Sequence, residues 1–372
     1  MKKLNPVDYD IAHNLLVQIE YQTVLKTIMA GETPGIIYVD SKEKPKLAFA
    51  QFKQRTFLSG EPSTELGTLL RNFFNISVRQ HCQEYDAPFF RLIVNQPQWL
   101  DIMVDSLNPR EPIITGYHCY QKIINTKIEN ISLPDDFEII PVDQELINAP
   151  FPGREDLLDE MCSERESVDA FLEKSFGVAA FKDDALAGWC LSEYNHEDQC
   201  EVGIATMPPY RRIGLAKAMA NEFSNQAFDN GIMKILWHCF ESNLPSWQTA
   251  LSAGFSLVDS HKVAMLYWDT ALNQAVHGNI NFEQGKYEDA LICYEKSLDQ
   301  ENPQSWMAFN AACTSVHLNQ PKFAIEYLNL AIDLGFADLD YLVANKHLEP
   351  LKDDPKWGEI IFRVNQKLQS ES

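Results

Sequence analysis

The chain predicts a mixed α/β fold, a central sheet with flanking helices, followed by an all-α region of helical repeats. Three observations predict it. Residues 176–268 alternate short apolar strands with helical stretches, and the first 140 residues repeat that rhythm more loosely. The last hundred residues carry a period of 34.

Composition sets limits on what such a chain does. Its 372 residues suffice for two or three domains, each with its own core. Against 31 Lys and Arg stand 53 Asp and Glu, a net charge of −22 that repels phosphate backbones and attracts amines. Nucleic acid is therefore not an expected partner. None of the eight cysteines stands at CxxC spacing, so neither a metal site nor a disulfide framework is expected, and buried thiols in a reducing compartment fit better. The opening "MKKLNPVDYDIAHNLL" is broken by polar residues, and no segment reaches the roughly 18 apolar residues of a membrane span. A cytoplasmic protein without membrane contact is expected.

Taken in order, "IIYVDSKEKPKLAFAQF" (36–52) reads as two strands around a polar turn, and "TELGTLLRNFFNISVRQHC" (64–82) as an amphipathic helix. "FFRLIVN" (89–95), a helix at 96–106 and "CYQKII" (119–124) follow. Residues 130–150 hold three prolines and no long periodic run, which predicts a connection between domains. Then come strands at 176–184, 185–195 and 199–206, a helix at about 214–230 stopped by "DNG", and the strand "KILWHCF" (234–240). A helix over 243–255 and a last strand within 257–268 complete the α/β part.

Beyond residue 270, Gly278 and Ala312, Gly285 and Asn319, Ala290 and Ala324, Tyr294 and Leu328, and Ser297 and Ala331 stand 34 apart. Small residues there let paired helices approach closely, and Gly or Asn ends the first helix of each pair. Residues 338–364 read as further helices that cap the stack. The pattern resembles two tetratricopeptide repeats, which implies a surface for a protein or peptide partner or for dimerisation.

The segment "YRRIGLAKAMANEF" (210–223) places adjacent arginines before a glycine and an Ala-rich helix. A helix N-terminus after a strand offers backbone N–H groups and a favourable dipole to a phosphate. Gly214 and Ala216 keep the approach open, while Arg211 and Arg212 add charge. The alternative is that the arginines are simply solvated.

The order "EVGIAT", "MPPYRRIGLA", helix, "ILWHC", "NLPS", "GF" resembles the GCN5-related N-acetyltransferases (GNAT). Within them, "EVGIAT", "YRRIGLA", "WHC" and "NLPS" are closest to the zwittermicin-resistance type, as are "IIYVDSKEKPKLA" and "FLSGEP" in the first half. The resemblance implies three domains: a degenerate GNAT-like companion at 1–135, a GNAT catalytic domain at 136–269 and the helical repeats at 270–372. It implies acetyl-CoA as cosubstrate. The turn Arg211, Arg212, Ile213, Gly214, Leu215, Ala216 would hold its pyrophosphate, while Ile204, Ala205, Thr206, Asn243 and Ser246 would hold pantetheine. The acceptor it implies is the amine of a small cationic molecule.

Glu201 is the expected base and His238 a proton relay, with Glu193 and Glu241 as candidate holders of a cation. Strict alternation separates Glu201, Gly203 and Ala205 from Val202, Ile204 and Thr206, so only a bulge would bring both faces to one cleft. Ala250 occupies the position where many relatives carry an acidic tyrosine, which leaves the leaving thiolate to water. The competing readings are a protein N-acetyltransferase recruited through the repeats and a repeat scaffold whose acetyltransferase fold is inactive.

Overall fold

A computed structural model describes residues 1–371. It divides into two compact units, one formed by Met1–Leu107 with Ile114–Met265, the other by Asn108–Ile113 with the residues from Leu266 onward. Among the described residues no helix is long and apolar enough to cross a membrane.

The first unit is built on twelve strands. They are β1 (Lys2–Lys3), β2 (Ile36–Val39), β3 (Leu47–Phe52), β4 (Arg55–Gly60), β5 (Phe89–Val94) and β6 (Ile113–Ile123), then β7 (Phe137–Pro141), β8 (Gly177–Lys182), β9 (Ala185–His196), β10 (Gln199–Thr206), β11 (Lys234–Phe240) and β12 (Ser256–Tyr267). Their order across the sheet is β1-β2-β3-β4-β5-β12-β6-β11-β10-β9-β8-β7. Flanking helices include α1 (Thr23–Met29), α2 (Gly67–Phe73), α3 (Gln98–Leu107), α4 (Arg154–Ser163), α5 (Leu215–Asp229) and α6 (Leu244–Ser252).

Two halves of similar plan share this sheet. In each, two strands run parallel and adjacent, β4 with β5 in the first and β10 with β11 in the second. The halves exchange their last strands: β6 pairs antiparallel with β11, and β12 lies between β5 and β6. Neither half can therefore close its sheet alone.

Residues 130–150 are more than a connection. Phe137–Pro141 form the edge strand β7, paired only with β8. Pro141 is tolerated there because an edge strand leaves one side of the backbone free of ladder bonds.

α5 shows how the sequence positions the site. Leu215, Met219, Phe223 and Ala227 form a stripe at helical spacing, all of it buried in the core of the second half. The stripe fixes the helix on the sheet and leaves its N-terminus at the end of β10. Gly214 before it has φ +90°, and Gly231 after it φ +78°, the left-handed conformations that start and stop the helix at no steric cost.

The second unit is helical: α7 (Thr270–Glu283), α8 (Tyr287–Leu298), α9 (Ser305–His317), α10 (Pro321–Asp333), α11 (Leu339–Ala344) and α12 (Trp357–Glu371). Its two hairpins keep the 34-residue period. Gly285 and Asn319, equivalent positions at the turns, both take positive φ, +73° and +56°. A Cβ on Gly278 would come within 2.7 Å of the Tyr294 ring, so the missing side chain is what lets α7 and α8 pack closely.

Candidate active site

The paired register of β10 with β11 runs from Gln199 opposite Lys234 to Val202 opposite Trp237 and stops. Beyond it β10 continues to Thr206 paired only with β9, so the two strands part and leave an unpaired edge. A cavity of about 230 Å³ opens in this gap, and Val202, Gly203, Ile204, Trp237, His238 and Phe240 form its floor. Asn243 and Ser246 line it from the start of α6. The Asn243 side chain caps α6 by accepting from the Ser246 N–H at 3.2 Å, and Ser246 Oγ accepts from Trp237 Nε1 at 3.0 Å. Both expected pantetheine contacts are thus held in place by secondary-structure bonds of their own.

The turn after β10 is open. Arg211, Arg212, Ile213 and Gly214 are all exposed, and nothing lies within 4 Å of a Cβ built on Gly214. Arg211 Nε donates to the Thr206 carbonyl at 2.9 Å, which fixes the turn against the strand. The Leu215 side chain is buried in the core, so that residue offers a ligand only its backbone. The first N–H groups of α5, which follows this turn directly, have no intrahelical acceptor. Ile204, Ala205 and Thr206 are partly buried along the open edge of β10.

A bulge determines which carboxylate faces the gap. In the β9 ladder Glu201 of β10 stands opposite Tyr194, but Val202 stands opposite Ser192, so Glu193 has no partner residue. The extra residue turns the Glu193 side chain onto β10, where its Oε1 lies 2.5 Å from the position a Cβ would take on Gly203. Only glycine leaves room for it. Glu193 lines the cavity together with Glu160 from α4. Burial first, then the neighbouring carboxylates Glu164 and Glu201, push the Glu193 carboxyl up to about 7 against the pull of Arg55.

Glu201, expected as the base, sits differently. It is 1% exposed and is not among the cavity-lining residues. Its carboxylate accepts from the Thr23 and Val24 N–H groups at the start of α1 and from Arg55 Nη1 at 2.8 Å. Burial works against the charge, but His238, Arg55 and the Thr23 N–H outweigh it and hold the carboxyl at about 2. A group so held takes no proton at neutral pH.

His238 does line the cavity, yet its ring nitrogens face protein groups: Nε2 lies 3.1 Å from Cys119 Sγ and Nδ1 3.7 Å from Glu201. Burial opposes its charge, while Cys119 and Glu201 prevail and raise its pKa well above the usual imidazole range. Its ring is thus held between Cys119 and Glu201. Glu241 is exposed, outside the lining, and covers Gly116. Ala250 is fully buried in the core of the second half.

The residues without a sequence signal come from elsewhere in the chain. Arg55 on β4 of the first half is 4% exposed and ion-paired to Glu164 at 3.0 Å, to Glu201 at 2.8 Å and to Glu193. Tyr194 donates to Glu164 at 2.6 Å. Arg91 of β5 and Tyr117 of β6 complete the cavity wall. The first half thus supplies one wall of the cleft. No spacing in the sequence links these positions; the strand exchange does.

A family described as GNAT acetyltransferase matches residues 13–264. The uncharacterized N-acetyltransferase YdfB of Bacillus subtilis (strain 168) is 23% identical over 249 residues, 65% of this chain and 89% of that protein. Among solved structures, a GCN5-related N-acetyltransferase-like protein from Streptococcus suis 89/1591 shares the fold at a TM-score of 0.53 and 18% identity, over 70% of this chain and 98% of that one. A GCN5-related N-acetyltransferase from Sphaerobacter thermophilus aligns at a TM-score of 0.51 and 14% identity, over 72% and 94% of the two chains.

Proposed function

The chain belongs to the GNAT acetyltransferase family, and from that premise we propose that it transfers an acetyl group directly from acetyl-CoA to the amine of a small molecule that enters as an ammonium. The observation that carries this reading is the gap where β10 and β11 part, with Glu193 lifted into it by the β9 bulge.

Acetyl-CoA lies with its pyrophosphate on the turn from Arg211 to Ala216 and its pantetheine arm along Ile204–Thr206, near Asn243 and Ser246. The acetyl carbonyl then sits in the gap, where the unpaired edge of β10 offers N–H groups to the developing oxyanion. The acceptor ammonium is drawn by Glu193 and Glu160. Glu193 takes its proton, since a base with a pKa near 7 matches neutral operation. The amine nitrogen attacks the carbonyl carbon, the C–N bond forms, the C–S bond breaks, and the proton the nitrogen then sheds passes through water to the CoA thiolate. Glu201 and Arg55 hold this arrangement rather than take part in it.

The motifs "EVGIAT", "YRRIGLA" and "NLPS" support placement with the zwittermicin-resistance type. The 34-residue period and equivalent turns of the helical unit support tetratricopeptide repeats that bind a protein or peptide partner. The test is CoA-thiol release from acetyl-CoA by the full chain across a panel of small amines, with mass detection of the acetylated product. Amine-dependent release with matching product supports the reading; bound acetyl-CoA without product from any amine supports an inactive fold.

A further inference from the structure

The cleft that carries the proposed acetyl transfer also holds a cation that the protein leaves unpaired. Arg91 lies directly beside Arg55 in the parallel register of β4 with β5. Its backbone is fixed, the N–H donating to Gln54 at 2.7 Å and the carbonyl accepting from Thr56 Oγ1 at 2.9 Å. The two arginines differ in their partners. Arg55 meets three carboxylates, whereas Arg91 makes no ion pair among the described residues, and its buried Nε has no hydrogen-bond acceptor. Its guanidinium carbon instead lies 4.7 Å from the Tyr117 ring centre and 5.9 Å from that of Phe240.

Aromatic faces steady a guanidinium and fix its plane, but they leave its N–H donors without acceptors. Its Nε lies out of water with no acceptor, which is costly, and Arg91 lines the acceptor cavity, where a ligand anion would supply one. Glu193 and Glu160 border the same cavity of about 230 Å³. A planar monoanion suits the fork of an arginine, while the nearby carboxylates disfavour a doubly charged phosphate.

Resting on the acetyl-transfer reading of this cleft, we propose that Arg91 receives the carboxylate of the acceptor, so that the amine acetylated here belongs to a small free amino acid. The ammonium lies against Glu193 and Glu160 and the carboxylate on Arg91. Both charges sit on one short skeleton, because both receptors border one small cavity.

The test compares α-amino acids with their carboxamides and with the corresponding amines lacking the carboxyl group, by CoA release from the full chain, beside an acetyl-CoA binding isotherm. The best acid should exceed its carboxamide in kcat/KM by about tenfold to a hundredfold. Arg91→Gln should collapse that ratio towards one, chiefly through KM, and Arg91→Lys should restore part of it. Equal use of acids and carboxamides by the wild type overturns the inference, as does an unchanged ratio in Arg91→Gln. So does a chain that binds acetyl-CoA yet acetylates none of the acids, an outcome that leaves the cofactor assignment standing. Failure to bind acetyl-CoA removes the acetyl-transfer reading itself, and the inference with it.

Discussion

The two halves of the sheet share a plan, and only one of them keeps its gap open. In the second half β10 and β11 part after Val202 and Trp237 and leave a cavity. In the first, the register of β4 with β5 ends at Leu58 opposite Val94, and the space beyond is filled. Asn95 Oδ1 accepts from the Gly60 N–H at 3.3 Å, and the Gly60 carbonyl accepts from Asn95 Nδ2 at 3.3 Å, Gln96 Nε2 at 3.1 Å and Trp99 Nε1 at 3.2 Å. The turns differ in charge as well. Arg211 and Arg212 precede Gly214, where Glu61 and Glu65 precede Gly67. What separates the open gap from the closed one is thus a few side-chain donors and the sign of two residues. The closed half still serves the open one, because its β4 and β5 deliver Arg55 and Arg91 to the other half's cleft.

Several substitutions break or sharpen this comparison. The largest effect is expected from Arg55→Met. One buried and two half-buried carboxylates then lose their cation, which should destabilise the first unit by about 3–5 kcal/mol, read as a fall in unfolding free energy in urea. Little or no change would mean that the ion pairs linking the halves carry no weight.

Glu193→Gln should lower kcat by roughly a hundredfold with the fold intact. In the wild type kcat/KM should rise with pH through about 7, as the Glu193 carboxyl loses its proton, and the variant should lose that rise. An unaltered profile would exclude Glu193 as the base. Glu201 has the opposite sign. Its carboxyl is held at about 2 in the fold against an ordinary 4.5, so the stability it contributes is full above pH 4.5 and drains away as pH falls towards 2. Glu201→Gln should flatten that acid limb of an unfolding series, while the rise in kcat/KM near pH 7 persists.

Gly203→Ala is a smaller change of the same site. The added methyl meets Glu193 Oε1 at 2.5 Å and must displace it, so kcat should fall by about tenfold while acetyl-CoA still binds. Smallest is Asn95→Ala in the closed half. It removes hydrogen bonds to Gly60 and should cost about 1 kcal/mol in stability, with acetyl-CoA affinity unchanged.

Much of the second half was legible in the sequence. The strand, turn and helix around "YRRIGLA" and the stop at "DNG" are local features, and local patterns record them. The fold class follows from the same rhythm. The carboxylate that faces the gap, Glu193, was not legible. A place at the start of β10 and the family resemblance favoured Glu201, since a bulge in β9 leaves no mark in composition, and Gly203 reads as an ordinary strand glycine until Glu193 lies on it. Arg55 and Arg91 were missed for a different reason. They belong to strands of the other half, brought to the cleft by pairing across the chain, and no spacing encodes that. Nor did the prolines near residue 141 reveal that an edge strand tolerates them.

On the proposed function the open gap behind Gly214 binds acetyl-CoA and the closed gap does not. Calorimetric titration of acetyl-CoA into the full chain, beside Gly214→Glu and Asn95→Ala, tests it most directly. One site per chain is expected, abolished by Gly214→Glu, where a carboxylate would meet the pyrophosphate, and kept in Asn95→Ala. At a hundred times the dissociation constant it should also stabilise the first unit by about 2.7 kcal/mol. No binding to the folded wild-type chain, or binding that survives Gly214→Glu, would contradict the claim.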